Sequence, residues 1–533
     1  MEIGIDFGTT FSTLCFSPGR GIEGCVPESD TIYIPTAVGI RSDGTYTIGL
    51  GALQEPNLLV YRDIKRYFGL NKYNKESYMK RPKPSIEVVA DEWGCRIGPV
   101  DGSKGKTRNM LALTCMFVSA LSQLASKISN LAISVSVCSV PAEYNSYMRS
   151  FIYEGCKLAN ISVQAVVNEP TAAGLSAFTT VDKNSTPYML VYDFGGGTFD
   201  ASLLVVGPSY VCVIDSLGDN YLGGRDVDNK LLSLVSDKLG VQQSALDSFA
   251  MEALKIDVVN NPKQTERRLL LKDGTVAVLR ITIEEFQALC RPLVEKARSI
   301  VLKLLTSNDV TSCVAVLVGG SSVLPGVKNS IASIGRVSRV IFDMEGYRAA
   351  VAIGAAIYAQ TFSGTSRYRL IDCISSTLSD ERKPLKAVTV FPKGHPIPAI
   401  VEVDYKMPSH NTGVVLHEGE SSFINKNQRT YSSSVRLGKF KAGESFKQKF
   451  VISEDGRLTV YMNDAVLENV VLPPIPPKAE YGEKYVSSDD KRIKPEVNDV
   501  KLFYSKLLND TSLYTADLQS RISVYKRNGF ECD

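Results

Sequence analysis

The hydrophobic pattern of this chain changes period along its length, and the changes outline its organisation. Short β-branched apolar runs open it at 2–6 and 12–16, followed by 33–40 and 46–48, each of strand length. After a polar, Lys- and Pro-rich stretch at 72–83, a helical period sets in. Met110, Leu113, Phe117, Leu121 and Leu124 fall on one face and predict a core-facing helix over 110–127. The pattern next predicts a buried strand at 133–140 stopped by Pro141, a helix at 146–158, a strand at 163–167, and a helix at 170–178 with Pro170 at its first position. A polar break at 179–187 precedes a second start of the strand–loop–strand pattern, at 188–193, 201–206 and 211–217. Helices are expected at 226–239, 248–259 and 283–305, then a strand at 314–318, a Gly-Gly-Ser-Ser turn and a helix at 349–362. The repeat of a hairpin with a glycine-rich return at the head of both halves is an internal echo.

Beyond a polar hinge at 363–369 the period becomes two. Alternation at 387–391, 399–405, 412–417, 432–440, 445–453 and 457–462 predicts a strand-only module. Pro473 to Pro477 reads as a stiff linker. In the tail, Tyr514, Leu518, Ile522 and Tyr525 share one helical face, so one or two short helices packed on the strand module are expected.

Composition narrows the classes. The chain has 533 residues, 44% hydrophobic and 22% charged, ordinary values for a folded protein of about three or four domains. A net charge of +3 argues against a protein that coats nucleic acid, and no sequence-specific nucleic-acid binding is expected. Eleven Cys without a C-x-x-C pair suggest reduced, mostly buried thiols, and His395, His410 and His417 show no metal spacing. The first strand starts at residue 2, so no secretory leader is expected, and the absence of an apolar run of about 18 residues predicts no membrane span.

Chemistry concentrates in two loops, Asp6-Phe7-Gly8-Thr9-Thr10 and Asp193-Phe194-Gly195-Gly196-Gly197-Thr198. Each pairs an Asp at a strand end with glycines, whose backbone can approach an anion closely, and with Thr hydroxyl donors. Two such turns facing each other would grip a polyphosphate, and an aspartate can hold a hydrated metal ion. Two decoys fail. Gly19 to Gly24 fits G-x-G-x-x-G but reads as a hairpin connection without the helix that dinucleotide binding needs. Gly105-Lys106-Thr107 lacks the earlier glycine of a P-loop, where Val100 stands, and reads as a surface turn.

Together with Val140-Pro141-Ala142, Asn168 to Ala173, Leu317 to Ser322, Asp219 to Asp228 and Ile64 to Gly69, these loops resemble, in order, the motifs of the DnaK-type seventy-kilodalton heat-shock chaperones over about residues 1–362. The resemblance implies an α/β fold: an actin-like two-lobed ATPase domain (1–362, lobes about 1–180 and 181–362), a linker (363–374), a smaller β-sandwich domain (375–475) and a short helical tail (476–533). It implies ATP and ADP with magnesium as ligands. Asp6 and Asp193 would hold the magnesium through waters. Gly8, Thr9, Thr10, Phe11, Gly195, Gly196, Gly197 and Thr198 would meet the phosphates, and Lys65 would position the attacking water. Glu169 would act at the metal and interlobe site, and Gly224, Glu252, Lys255, Gly319, Gly320 and Ser321 would surround the adenosine. The bland alternative for Glu252 and Lys255 is a surface ion pair on one helix.

Four positions depart from the family pattern: Val323 replaces an arginine expected against the adenine, Arg348-Ala349 replace an acidic pair, and Phe11 replaces a tyrosine. The strand module resembles the family's peptide-binding domain only in fragments, and the tail beyond it is too short for the family's long helical lid. This combination resembles the chaperone homologues of plant closteroviruses. That resemblance implies a weak ATPase acting in virion tail assembly and cell-to-cell movement, with viral coat and other virion proteins, host co-chaperones or the cytoskeleton as partners. It implies location in host cytoplasm, virions and plasmodesmata. The rival readings are a structural virion or movement component with a non-catalytic nucleotide site, and a small-molecule kinase on the same scaffold.

Overall fold

The computed structural model describes residues 1–487 apart from 18–23, 26–31, 73–74, 76–85, 93, 143, 178–186, 208–209, 247, 344–346, 365–368, 375, 384–385, 407–413, 434–442, 455, 464 and 467–472. The tail helices expected around Tyr514 to Tyr525, the decoy loop at 19–23 and nearly all of the break at 179–187 lie outside the described residues.

Two six-stranded sheets share one plan. In the first, Val163–Asn168, Val135–Val140 and Glu2–Asp6 run parallel, and Glu2–Asp6 then pairs antiparallel with Phe11–Ser17. In the second, Val337–Ile341, Cys313–Val318 and Tyr188–Phe194 run parallel, and Tyr188–Phe194 turns back through Phe199–Val206 and Tyr210–Asp219. The echo read in the sequence is this repeated order. Parallel neighbours need crossovers, which helices such as Ser146–Leu158 supply.

Helices Glu169–Ala177 and Ala350–Phe362 lie between the two sheets. Val137 and Val167 of the first sheet, Val191 and Leu204 of the second, and Ala172, Ala173, Ala355 and Ala359 of the helices form one buried cluster. Both helices are apolar nearly all round, as burial on every side requires. Small residues set the spacing: a Cβ on Gly354 would collide with the Ala172 carbonyl, and one on Gly4 with the Ala356 backbone.

Helix Met110–Ser129 corrects one expectation, being long and apolar enough to cross a membrane. Of its most apolar stretch 72% is buried inside the fold, so it is a core helix. Its N-cap, Asn109, accepts the Leu111 N–H at 2.7 Å, a contact that typically contributes about 1 kcal/mol. Cys15 is disulfide-bonded, an exception to the reduced set expected, while eight other described cysteines are free and all but Cys212 are buried.

The strand module comprises two antiparallel four-stranded sheets. One orders Lys386–Phe391, Leu378–Lys383, Val414–Glu418 and Gln428–Ser433; the other orders Ala399–Lys406, Ser445–Ile452, Leu458–Met462 and Ala465–Val466. Phe391, Leu416, Phe450 and Val460 meet in a common core. Of the strand expected at 432–440 only 432–433 lie among the described residues, at the end of Gln428–Ser433, and Leu378–Lys383 had no expectation.

Both ends of this module are tied to the larger body. At its entrance Arg369–Ile371, part of the expected hinge, adds a parallel strand to the second sheet beside Tyr210 to Cys212. Asp372 then accepts from Asn168 Nδ2 at 3.0 Å, and Glu418 accepts the Ser146 N–H at 3.0 Å. At its exit the segment after Pro477 returns to the first half instead of packing on the module. The Tyr46 N–H donates to Lys484 O at 3.0 Å, and the Val486 N–H to Tyr46 O at 2.8 Å. Arg96 pairs with Glu480 and Arg108 with Glu483, each at 2.9 Å.

Candidate functional site

Strand Glu2–Asp6 ends on Asp6, and the chain turns through Gly8, Thr9 and Thr10 before Phe11–Ser17 returns. A Cβ on Gly8 would meet the Phe11 carbonyl, so the turn requires glycine. Strand Tyr188–Phe194 turns equally tightly, with the Gly195 N–H donating to Thr198 O at 2.9 Å. The two turns touch: a Cβ on Gly196 would strike Thr10 Oγ1, and one on Gly197 would lie 2.9 Å from Thr9 Oγ1.

Two further turns join them. After Cys313–Val318, Gly319 adopts a φ of +83° and lies so close to Asp193 that a side chain there would collide with its carboxylate. Ser321 Oγ donates to Gly195 O at 2.8 Å. At the start of helix Gly224–Leu239, the Gly224 and Arg225 N–H groups donate to Gly195 O and Gly196 O at 3.1 and 2.8 Å. Four separate segments thus converge through backbone contacts that only small residues allow.

They border an open cleft. Asp6, Gly8, Thr9, Thr10, Phe11, Lys65, Glu169, Asp193, Gly195, Gly196, Thr198, Glu252, Lys255, Gly319, Gly320 and Ser321 line it. Gly197 and Gly224 back it instead: Gly197 supports Thr9, and Gly224 lies against Ser321 and Lys255. Val323, where the family pattern expects an arginine against the adenine, is not among the lining residues. Tyr33, Ile256 and Arg348 are lining residues to which sequence reasoning assigned no role.

The electrostatics centre on Lys65, buried in the short turn Ile64–Tyr67 and ion-paired with Glu169 at the start of helix Glu169–Ala177. Desolvation pushes the Asp6 carboxyl up to about 7, Glu169 adds to this, and Lys65 and the Ser139 hydroxyl oppose it. Asp193 is held well above the usual carboxylate range by burial and then by Glu169, Asp200 and Asp6. Asp6, Glu169 and Asp193 crowd around Lys65, and their mutual repulsion is relieved by a proton or by an arriving cation. Among the described residues no group of three or more His, Cys, Asp or Glu side chains could hold a metal ion directly.

Glu252 and Lys255 have partners elsewhere rather than forming a surface pair. Glu252 receives Arg62 at 3.1 Å and Arg225 at 3.2 Å, and Lys255 lies 2.8 Å from Asp228. Arg225 also reaches Asp63 at 3.0 Å, so the network bridges strand Leu59–Arg62 of the first half to helices of the second. Burial alone would raise the Glu252 carboxyl, but Arg225, Arg62 and Lys255 outweigh it and hold it low.

Comparison with known proteins accords with this arrangement. The family described as Hsp70 protein matches residues 2–465. The chain belongs to the Hsp70 family. Among its Hsp70 relatives, the movement protein Hsp70h of Grapevine leafroll-associated virus 3 is 35% identical, covering 89% of this chain and 87% of that one. The movement protein Hsp70h of Beet yellows virus is 31% identical, covering 82% and 76%. The chaperone protein HscA homolog of Burkholderia pseudomallei is 26% identical, covering 87% and 76%. The Hsp70 family binds ATP or ADP with magnesium in general.

Proposed function

We propose that this Hsp70 homologue binds ATP with magnesium in the cleft, hydrolyses it slowly, and uses the cycle in viral cell-to-cell movement and virion tail assembly. One observation carries the nucleotide reading: the Gly8–Thr10, Gly195–Thr198 and Gly319–Ser321 turns converge around Asp6, Asp193 and the Lys65–Glu169 pair. The movement reading rests on the relatives named movement protein Hsp70h.

The six-stranded sheets are the cores of two actin-like lobes, about 1–180 and 181–362. The strand module is a β-sandwich joined by the 363–374 linker. Asp6 and Asp193, crowded against each other and Glu169, would hold a magnesium ion through water, which would relieve their repulsion. When bound, that ion supplies charge neutralisation on the phosphates.

The protein's own groups do the rest. N–H groups and hydroxyls of the glycine–threonine turns hold phosphate oxygens, which is positioning work that phosphoryl transfer needs. Lys65, released in part from Glu169, orients water and faces the terminal phosphate. Glu169 keeps Lys65 in place and carries charge toward the metal site. Thr198 supplies a donor beside Asp193. Virion coat proteins and host cytosolic factors are the partners, in host cytoplasm, on virions and at plasmodesmata.

A second reading is a nucleotide site that only holds the lobes together, and the closed ion-pair network linking Arg62, Glu252 and Arg225 favours it. Single-turnover hydrolysis with magnesium by the wild-type chain and by Lys65→Ala separates the two. Hydrolysis in the wild type that falls by roughly 100-fold or more in the variant, with ATP still bound, supports the ATPase. Binding without turnover in both leaves the structural reading standing.

A further inference from the structure

Three cations line the cleft: Lys65, Lys255 and Arg348. Lys65 is paired with Glu169 and Lys255 with Asp228. Among the described residues no carboxylate lies within ion-pair distance of Arg348. Its Nε donates to Tyr347 Oη at 2.8 Å, and its guanidinium carbon lies 5.2 Å from the Tyr33 ring centre and 5.3 Å from that of Tyr347. Tyr33 comes from the first half of the chain and also lines the cleft.

The backbone sets where this group stands. Tyr347 O accepts the Gly319 N–H at 3.3 Å, so the segment carrying Arg348 is fastened to the Gly319–Ser321 turn. That turn is fastened in its own right to Gly195 through Ser321. Arg348 therefore belongs, by chain connection, to the cluster of turns proposed to hold phosphate.

Its remaining chemistry is restricted. Two rings already take its cation–π contacts, which leaves little of the guanidinium plane for a purine to stack on. What remains is the planar edge of N–H donors, which suits paired oxygens of a phosphate.

Resting on the nucleotide reading above, we propose that Arg348 is a nucleotide-binding residue that donates to a phosphate oxygen common to ATP and ADP. Tyr33 holds the guanidinium from across the cleft. The arginine thus adds a positive charge to the cleft from a segment other than those that carry Lys65 and Lys255. A contact shared by substrate and product tightens binding of both.

The test uses the full chain with magnesium and compares wild type, Arg348→Ala and Arg348→Lys. ATP, ADP and adenosine binding are measured by calorimetry, hydrolysis by single turnover, and folding by circular dichroism. The alanine variant is expected to lose roughly 10- to 100-fold in affinity for ATP and ADP, the range for a charge-assisted hydrogen bond. Adenosine affinity should stay unchanged, and lysine should restore part of the loss. Unchanged ADP affinity in folded Arg348→Ala overturns the assignment, as does an equal loss for adenosine, which would place the contact on the nucleoside. A wild type that binds no nucleotide overturns the nucleotide reading itself, and this assignment with it.

Discussion

Single residues decide the site because its turns meet backbone to backbone. A methyl group on Gly196 would occupy the position of Thr10 Oγ1. Gly196→Ala should therefore separate the two turns and weaken ATP binding by tenfold or more while the chain stays folded, a result that calorimetry with a circular dichroism control would read. Glu418 offers a second test, on pH. Burial raises its carboxyl above the ordinary value of 4.5, although the Ser146 N–H and hydroxyl and Arg149 work against the shift. Because the folded value exceeds the unfolded one, the folded state binds more protons across the interval between them. Stability from this contact is full below 4.5 and falls as pH rises through the raised value. Glu418→Gln keeps an oxygen acceptor without the charge. It should raise the melting temperature at pH 8 and change little at pH 4.5; a gain of equal size at both would contradict the argument. The glycines, Asp6, Asp193 and Lys65 were legible in the sequence because each stands inside a short motif. Arg62 and its pairing with Glu252 were not, since partners separated by 190 positions leave no local pattern.

At the scale of elements, long periodic segments and strands such as Glu2–Asp6 read correctly, while some short elements were missed. Helix Ser146–Leu158 matches its expectation, whereas the hairpin Glu266–Leu270 with Val276–Arg280 went unread. Its signals were present: Asp273-Gly274 between two runs of alternating burial is a hairpin signature. The strand Arg369–Ile371 was unreadable for a different reason. Three residues carry no period, and only the free edge offered by Tyr210–Asp219 makes them a strand. Leu370→Pro should break that pairing, since proline cannot serve as a ladder donor. Amide exchange at Val211 and Cys212 is then expected to speed up by about tenfold or more, while exchange at Val137 in the first sheet stays the same. Equal acceleration in both sheets would indicate general unfolding rather than release of one strand.

At the scale of the whole molecule, sequence order hides what the fold brings together. The segment after the strand module was expected to pack back on that module, yet Glu480, Glu483 and Tyr485 meet the first half. Two partly exposed ion pairs and two backbone hydrogen bonds there should contribute about 2 to 4 kcal/mol. Deleting residues from Pro473 onward should expose the Tyr46 amide to rapid exchange and make the strand module easier to clip by protease, with the sheets around Asp6 and Asp193 unchanged. Unaltered protection at Tyr46 would show that the returning segment does not hold. Its geometry has a further consequence for how the molecule can move. A module fastened at one end swings away once its contact opens, but one fastened at both ends does not. When the linker strand or the Ser146–Glu418 contact lets go, the returning segment keeps the module within a short radius, at an effective concentration on the order of millimolar. Reclosure is then a local event with a small entropy cost, and any cargo held by the module travels with the body of the protein through each opening.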